Sequence, residues 1–498
     1  MSTTKITGAS SPNNITDRLN EIIDSVNNNI NVLATSGTIT LADNSVNTIT
    51  PTGSVKFVLP TITDNTVLHR ILVQINMTSV YSINIGTDKY FDKNDVNMAK
   101  IGTFNLYFEY DKANTCWVCK TMEKGTIPVG EVDKSKIGYA TLLLNENNQL
   151  FACGRNDYGQ QGDGTTNNVT YLRKIANNVS DFYAGGENNP NASDYVLSYL
   201  TSDGDLYMCG RNNYGQQGDG TTTDVNAFTK RASNVTSYSG NDFTTWYIDS
   251  DGDLYGCGYN GDGQQGSGNT TDVITFTKRA SSVSSVSASM YYTCYITTSG
   301  DLYVNNSSNV FALVAQNVSY AIAGLSGGVF YINSSGYLYQ YTKTSGSTQL
   351  ATSVSSVAVG VSTPASIFYI TTGKDLYGKG ANGYGQQGNG TTTDVGSFAQ
   401  IASNVASVSC SGCTSFYITT SGDLYACGRN DGYQQGNGTT TNVTSFTKIA
   451  SNIASVQANY WTTSYLTTSG DVYFCGYNSY GQVANGSTET ITTFTQVK

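Results

Sequence analysis

Self-similarity constrains this chain more than any other feature, because units of 20–50 residues that recur in tandem must bury their apolar faces against one another. The segment CGRNDYGQQGDGTT, Cys153 to Thr166, returns as CGRNNYGQQGDGTTTDV from Cys209, CGYNGDGQQGSGNTTDV from Cys257 and KGANGYGQQGNGTTTDV from Lys379. It returns again as CGRNDGYQQGNGTT from Cys427 and, in altered form, as CGYNSYGQVANGST from Cys475. Before each copy stands a hairpin pattern such as YITTSGDLY, whose leucine-type residue is Leu150, Leu206, Leu254, Leu302, Leu338, Leu376, Leu424 or Val472. That makes eight units, spaced 56, 48, 48, 36, 38, 48 and 48 residues apart. Within a unit, β-branched and aromatic residues alternate around Ser-Gly-Asp or Asp-Gly-Asp turns, and a later FTKIASNV supplies a further strand. Four short strands per unit are the spacing of a propeller blade, and helical periodicity is missing from residue 130 onward.

The order YITTSGDLYACGRNDGYQQGNGTT resembles the repeat of the RCC1-like propeller family, in which a hairpin leads to a glycine-rich loop. The resemblance runs from near Tyr139 to the C-terminus and implies an all-β fold of seven or eight blades, of which eight is the expectation. Two departures stand out. Cysteine replaces the tryptophan common in that family before the glycine, and the fourth and fifth units, LYVNNSSNVFALV and LYQYTKTSGSTQL, lack the loop.

The glycine-rich loop resembles a phosphate cradle only superficially, since neither lysine nor helix follows it, and its recurrence marks it as scaffold. Its glycines are expected to serve turns and its Asn and Gln side chains to satisfy backbone groups. The cysteine column reads as small buried residues too far apart to bridge. CWVC (Cys116–Cys119) and CSGC (Cys410–Cys413) have knuckle spacing but belong to different domains, so no metal is expected. DSDGDLY at Asp249–Tyr255 lacks the glycine and glutamate of a calcium loop and reads as a hairpin turn. The only histidine is His69, outside the repeats, which leaves them without Ser-His-Asp or Cys-His chemistry. The expectation is a protein without cofactor or catalytic residues, although a close carboxylate pair would make it a glycan depolymerase.

Variation between units points to a candidate surface. Eleven residues before the leucine, at the end of the loop entering the hairpin, the units carry Tyr139, Tyr195, Phe243, Tyr291, Gly327, Ala365, Cys413 and Trp461. Ring closure makes the five aromatic units adjacent. With Asn241, Met290 and Tyr460 beside them, they form a mixture suited to a sugar or a protein surface. Covering about 100 Å² of one ring would contribute about 2.5 kcal/mol before costs. The alternative is that the column packs inward at the loop base.

The N-terminal third reads differently. Ile15, Leu19, Ile22, Val26 and Leu33 repeat at three- and four-residue steps, predicting a short oligomerising helix within residues 1–35. A small β-domain is expected over 36–125, a linker over 126–136 and the propeller over 137–498. This layout resembles a bacteriophage tail fibre or receptor-binding protein. That resemblance implies a non-enzymatic, trimeric, virion-associated adhesin, made in the bacterial cytoplasm without a signal peptide. It would attach to other tail proteins through its N-terminal region and bind a bacterial surface glycan or protein through the propeller. The alternative is a regulatory protein–protein interaction propeller of the RCC1 kind. With 26 basic against 36 acidic residues the net charge is -10, which argues against nucleic acid, and no segment is apolar enough to insert in a membrane.

Overall fold

In a computed structural model the chain divides into two compact units, Met1–Val129 and Gly130–Val497. The structure describes residues 132–185, 196–324, 327–360, 365–411 and 413–497 in full, and the strands before residue 123 as backbone only.

In the first unit, strands Ile30–Val32, Ser45–Ile49 and Arg70–Met77 pair in parallel, and so do Gly37–Thr40, Val55–Val58 and Ile83–Ile85. Each pass of the chain gives one strand to each sheet, the path of a three-coil solenoid. Gly102–Asp111 and Cys116–Met122 then extend the first sheet antiparallel. One expectation needs correction: the helix predicted to reach Leu33 cannot include Ile30–Val32, which pair with Val46–Thr48. Ile30 and Val32, both β-branched, gain a ladder partner that an isolated short helix lacks. Ile15, Leu19, Ile22, Val26 and Leu33 lie outside the described residues.

The second unit consists of eight four-stranded antiparallel sheets, at 132–176, 179–232, 235–280, 283–315, 318–351, 354–402, 405–450 and 453–497. These are blades one to eight of a propeller, each completed by its own four consecutive strands. The ring closes where the first strand of blade one meets the first two strands of blade eight, without strand exchange. That first strand, Val132–Ile137, corrects the expected linker. Val132 and Ile137 are buried, while Lys134 pairs with Asp181 and Lys136 lies over the Tyr183 ring of blade two.

The alternating pattern folds as hairpins because its apolar positions meet between blades, as Leu142, Leu150 and Ala152 do with Leu197 and Cys209. Seven blades carry a tyrosine pair directly across their central strands, from Tyr199–Tyr207 to Tyr465–Tyr473, stacked at 4.8–5.1 Å. Much of the unusual tyrosine content is therefore scaffold, each pair contributing about 0.5–1.5 kcal/mol beyond its buried area.

The glycine-rich loop joins a blade's third and fourth strands and lies over the next blade. In blade one, Asn156 Oδ1 accepts the Gln161 N–H at 2.7 Å, its Nδ2 donates to the Thr165 carbonyl, and Gln161 Nε2 donates to the Cys153 carbonyl. The buried amides thus close the loop on itself. Across the junction, Cys209 of blade two donates its S–H to the Gln160 carbonyl at 3.0 Å, and Cys257, Cys427, Cys475 and Cys153 repeat the contact at 3.4–3.5 Å. A Cβ on Gly162, Gly218, Gly266, Gly388 or Gly436 would fall 2.2–2.4 Å from the ring of Phe228, Phe276, Phe311, Phe446 or Phe494 on the next blade. At the closing junction the same two positions are Ala484 and Leu172, a larger loop residue against a smaller strand residue.

Blades four and five send no such loop forward, and the cysteine position of the following blades is Tyr341 and Lys379, while blade four, which does receive a loop, has Asn305 there. Lys379 covers Phe398 at 4.7 Å, and Lys343 reaches back to the carbonyls of Asp262 and Tyr291. Burial lowers the pKa of both amines.

Candidate functional site

Strand direction alone sorts the two faces of the ring. The connections between first and second strands share one face with the glycine-rich loops, whereas the Ser-Gly-Asp turns lie on the other. The turn face carries Asp–Lys pairs such as Asp205–Lys230 at 2.7 Å and Asp423–Lys448 at 2.9 Å, and Asp249–Tyr255 is a turn in which Asp249 accepts the N–H of Asp251 and Asp253. The loop face carries rings and guanidinium groups.

At two junctions bearing a loop, three positions converge. One is the loop residue before the second conserved glycine, one the aromatic-column residue of the next blade, and one the residue following that blade's Cys-Gly. Between blades eight and one they are Tyr480, Tyr139 and Arg155: the two rings meet edge-on at 5.4 Å, and the guanidinium lies 5.0 Å from Tyr480. Between blades two and three they are Tyr214, Phe243 and Tyr259, with centroids 5.1–6.3 Å apart. Arg211 caps Tyr158 at 5.2 Å, and Arg429 caps Tyr384 at the same distance. Arg429 also faces Trp461 at 4.3 Å and Tyr460 at 4.6 Å. A belt of rings and arginines thus runs from blade six through the closure to blade three.

Two of the arginines are held by carboxylates. Asp157 and Asp431 bind Arg155 and Arg429 from two residues away, in the latter case through Nε and Nη2 at 2.7 Å. Burial pushes the Asp431 carboxyl up, but the Arg429 hydrogen bonds and charge outweigh it and hold the group below the ordinary range. Burial likewise pulls Arg429 down, and Asp431 with the neighbouring phenols more than restores it. The pair is ionised and internally neutral.

The junction of blades seven and eight departs from the others. Loop seven reads Asp-Gly-Tyr where the others read x-Tyr-Gly or x-Asp-Gly, so Gly432 stands at the tyrosine position and Tyr433 at the glycine position. Tyr433 adopts φ 62°, where Gly159, Gly215, Gly263, Gly385 and Gly481 have φ 72–81°. A non-glycine residue there costs about 1–2 kcal/mol. Trp461 lies against Gly432, whose Cβ would fall 2.9 Å from its ring. Beside it opens a cleft of about 350 Å³ lined by Asp431, Tyr433, Trp461, Tyr477, Tyr480 and Tyr139.

The sequence-predicted residues divide accordingly. Tyr139, Phe243, Tyr460 and Trp461 lie in the belt, half-buried, and Tyr291 is exposed. Tyr195 lies outside the described residues. Asn241 must be corrected as a contact residue. It is buried, with Nδ2 donating to Thr244 Oγ1 and the Ser289 carbonyl and Oδ1 accepting the Phe243 and Thr244 N–H groups. Met290 is half-buried and its carbonyl accepts from Gln264 Nε2, so it supports the loop. The column alone missed Arg155, Arg211, Arg429, Tyr158, Tyr214, Tyr384, Tyr477 and Tyr480. Their signal was present: after Cys-Gly the units read Arg, Arg, Tyr, Ala, Arg and Tyr inside an otherwise constant loop. Among the described residues no group of three or more His, Cys, Asp or Glu side chains could hold a metal.

Known proteins share the repeat and the fold. The family model for the regulator of chromosome condensation (RCC1) repeat matches residues 199–216 and 405–435. Yeast RCC1 (Prp20), solved with Kap60 bound to it, is 16% identical with a TM-score of 0.50, over 76% of this chain and 90% of that one. Prp20p from Saccharomyces cerevisiae, described with its binding properties to Gsp1p and histones, is 15% identical with a TM-score of 0.49, over 70% and 85%. Human WBSCR16 is 15% identical with a TM-score of 0.34, over 74% and 81%. The eight self-contained sheets make this chain an eight-bladed all-β propeller, with RCC1-type repeats matched at two segments and a fold similar to that of Prp20.

Proposed function

We propose that the propeller is a non-enzymatic platform for protein partners and that the ring-and-arginine belt is its contact surface. The observation that carries this reading is the belt's composition. Tyr, Trp and Arg are the side chains that dominate binding energy at interfaces, and here they are gathered on one face and held in place by Asp157, Asp431 and one another. The opposite face, with its Asp–Lys turns, offers pairs worth little individually. A net charge of -10 favours a basic partner. Prp20p, studied for binding Gsp1p and histones, supplies the first probes. Binding of either, or of a captured partner, should be lost on Arg211→Ala and Trp461→Ala and retained on Lys230→Ala and Lys278→Ala. Equal loss from both faces would reject the belt.

The adhesin reading differs in the partner, a bacterial surface receptor, and in requiring a trimer. The observation in its favour is a separate solenoid-like unit of parallel strands preceding the propeller, the arrangement of an attachment module and a presented domain. Its test is the solution mass of the full chain beside residues 130–498. A trimer that truncation turns into a monomer supports it, and a monomer in both removes it.

A further inference from the structure

The cleft between blades seven and eight is defined by what its sister junctions contain. In four of the six glycine-rich loops the residue at this place is a tyrosine: Tyr158, Tyr214, Tyr384 and Tyr480. Arg211, Tyr259, Arg429 and Arg155 of the next blade cap these rings at 5.0–5.2 Å. At the seven–eight junction the cap, Tyr477, and the column residue, Trp461, are both present 6.4 Å apart, but the loop position is Gly432. Cap and column residue are in place, no loop phenol joins them, and Trp461 packs on the Gly432 backbone with the cleft open beside it. The exchange also leaves Tyr433 in a left-handed conformation, and such conformations persist at sites that use them.

We propose that this cleft receives a tyrosine side chain from a protein partner, which completes the three-membered cluster. The inference rests on the belt being a protein-binding surface. The chemistry of the walls selects this occupant. Arg429 already covers one face of Trp461, and Arg155 lies over Tyr480, so these ring faces already hold their cations. The Asp431 carboxylate at the rim repels an anion. Flat walls formed by Trp461, Tyr477 and Tyr480 favour an aromatic ring, which packs offset or edge-on. Asp431, its side chain 47% exposed, and Thr490 place acceptors at the rim for a phenolic O–H, which phenylalanine lacks. The phenols of Tyr433, Tyr477 and Tyr480 make no hydrogen bond among the described residues, so the rim remains polar.

The test uses the full chain and three small probes: N-acetyl-L-tyrosinamide, N-acetyl-L-phenylalaninamide and methyl β-D-glucopyranoside. Saturation-transfer NMR should show the tyrosinamide ring against the protein, with a Kd about threefold or more below that of the phenylalaninamide. Trp461→Ala should weaken it about tenfold. The exchange Gly432→Tyr/Tyr433→Gly restores the pattern of the other loops and should abolish binding while cooperative thermal unfolding persists. Tyrosinamide binding that survives this exchange, no preference over phenylalaninamide, or tighter binding of the glucoside would each overturn the proposal. Because the probes need no partner, loss of the slot with belt-dependent partner binding intact would overturn this inference alone.

Discussion

Gly218→Ala tests whether the repeated loop is a turn or a staple between blades. Gly218 has φ 66° and Gly220, two residues on in the same loop, has φ 82°, so alanine at either pays the left-handed penalty of about 1–2 kcal/mol. A smaller unfolded-state entropy returns about 0.4–1 kcal/mol in both. The two differ in what surrounds them. A Cβ on Gly218 would fall 2.4 Å from Phe276 Cδ2 and 2.5 Å from Cε2, both on blade three, whereas Gly220 has only Thr275 Cγ2 at 3.5 Å. Overpacking adds about 1–3 kcal/mol at Gly218 alone. Gly220→Ala should therefore cost about 1 kcal/mol and Gly218→Ala about 2–4 kcal/mol. Denaturant unfolding followed by the fluorescence of Trp246, buried in blade three, reads the difference as a shift in midpoint at constant slope. Phe276→Leu in the Gly218→Ala background copies the natural Ala484/Leu172 junction and should recover about 1 kcal/mol or more as a coupling energy. Equal midpoints for the two alanine variants, or no coupling with Phe276→Leu, would refute the staple.

Two further outcomes follow from the same geometry. Burial pushes the Asp163 and Asp219 carboxyls up, but Thr165 with Arg173, and Thr221 with Arg231, outweigh it and hold both below the ordinary 3.8. A depressed folded pKa contributes stability that is complete above the ordinary value and lost as pH falls through the lower folded value. The propeller should thus hold its midpoint down to about pH 4–5 and lose it below, and Asp163→Asn should flatten that decline; an unchanged acid profile would remove these carboxylates from the account. In thiol labelling of the native protein with peptide mapping, Cys413, partly accessible, should react before Cys410, whose thiol burial pushes up to about 12. Cys209, Cys257, Cys427 and Cys475, fully buried and raised well above the ordinary 9.0, should react only on unfolding; early labelling of any of them would contradict the sealed loop junctions.

The propeller was legible because its repeat is read in registers that bear directly on burial. Leu150, Leu206 and their six equivalents mark one strand per blade, and an offset of two glycines marks a loop whatever its surroundings. What spacing could not show is contact across a junction. Cys209 touches Gln160, 49 positions away, and nothing in either unit alone says that the loop of one blade roofs the next. For the same reason the altered loop from Cys475 looks degenerate in sequence, while opposite Leu172 its alanine is complementary. The candidate surface was half legible. The aromatic column lies in the belt, but its amide neighbour Asn241 has all its hydrogen bonds inside the protein. The arginines were passed over because they sit inside a motif already assigned to scaffold, and a motif can be scaffold at its glycines and surface at the positions between them.

That division of labour explains why binding residues can change without loss of the ring. In five of the six loops the Asn and second Gln side chains are buried, as Asn212 and Gln217 are in blade two, and in blade eight a buried Val483 takes the Gln position. The positions after Cys-Gly and before the second glycine project between blades on the loop face, where Arg211, Tyr259, Ala381 and Arg429 occupy equivalent places with the backbone path unchanged. Only the exchange at Gly432 and Tyr433 touches the backbone itself. It places about 1–2 kcal/mol of local strain beside a cleft at the junction where Trp461 packs directly on Gly432. Beside Tyr433 stand four other rings, Trp461, Tyr477, Tyr480 and Tyr139, so the strained residue and the cleft belong to one junction, and the exchange Gly432→Tyr/Tyr433→Gly perturbs both together.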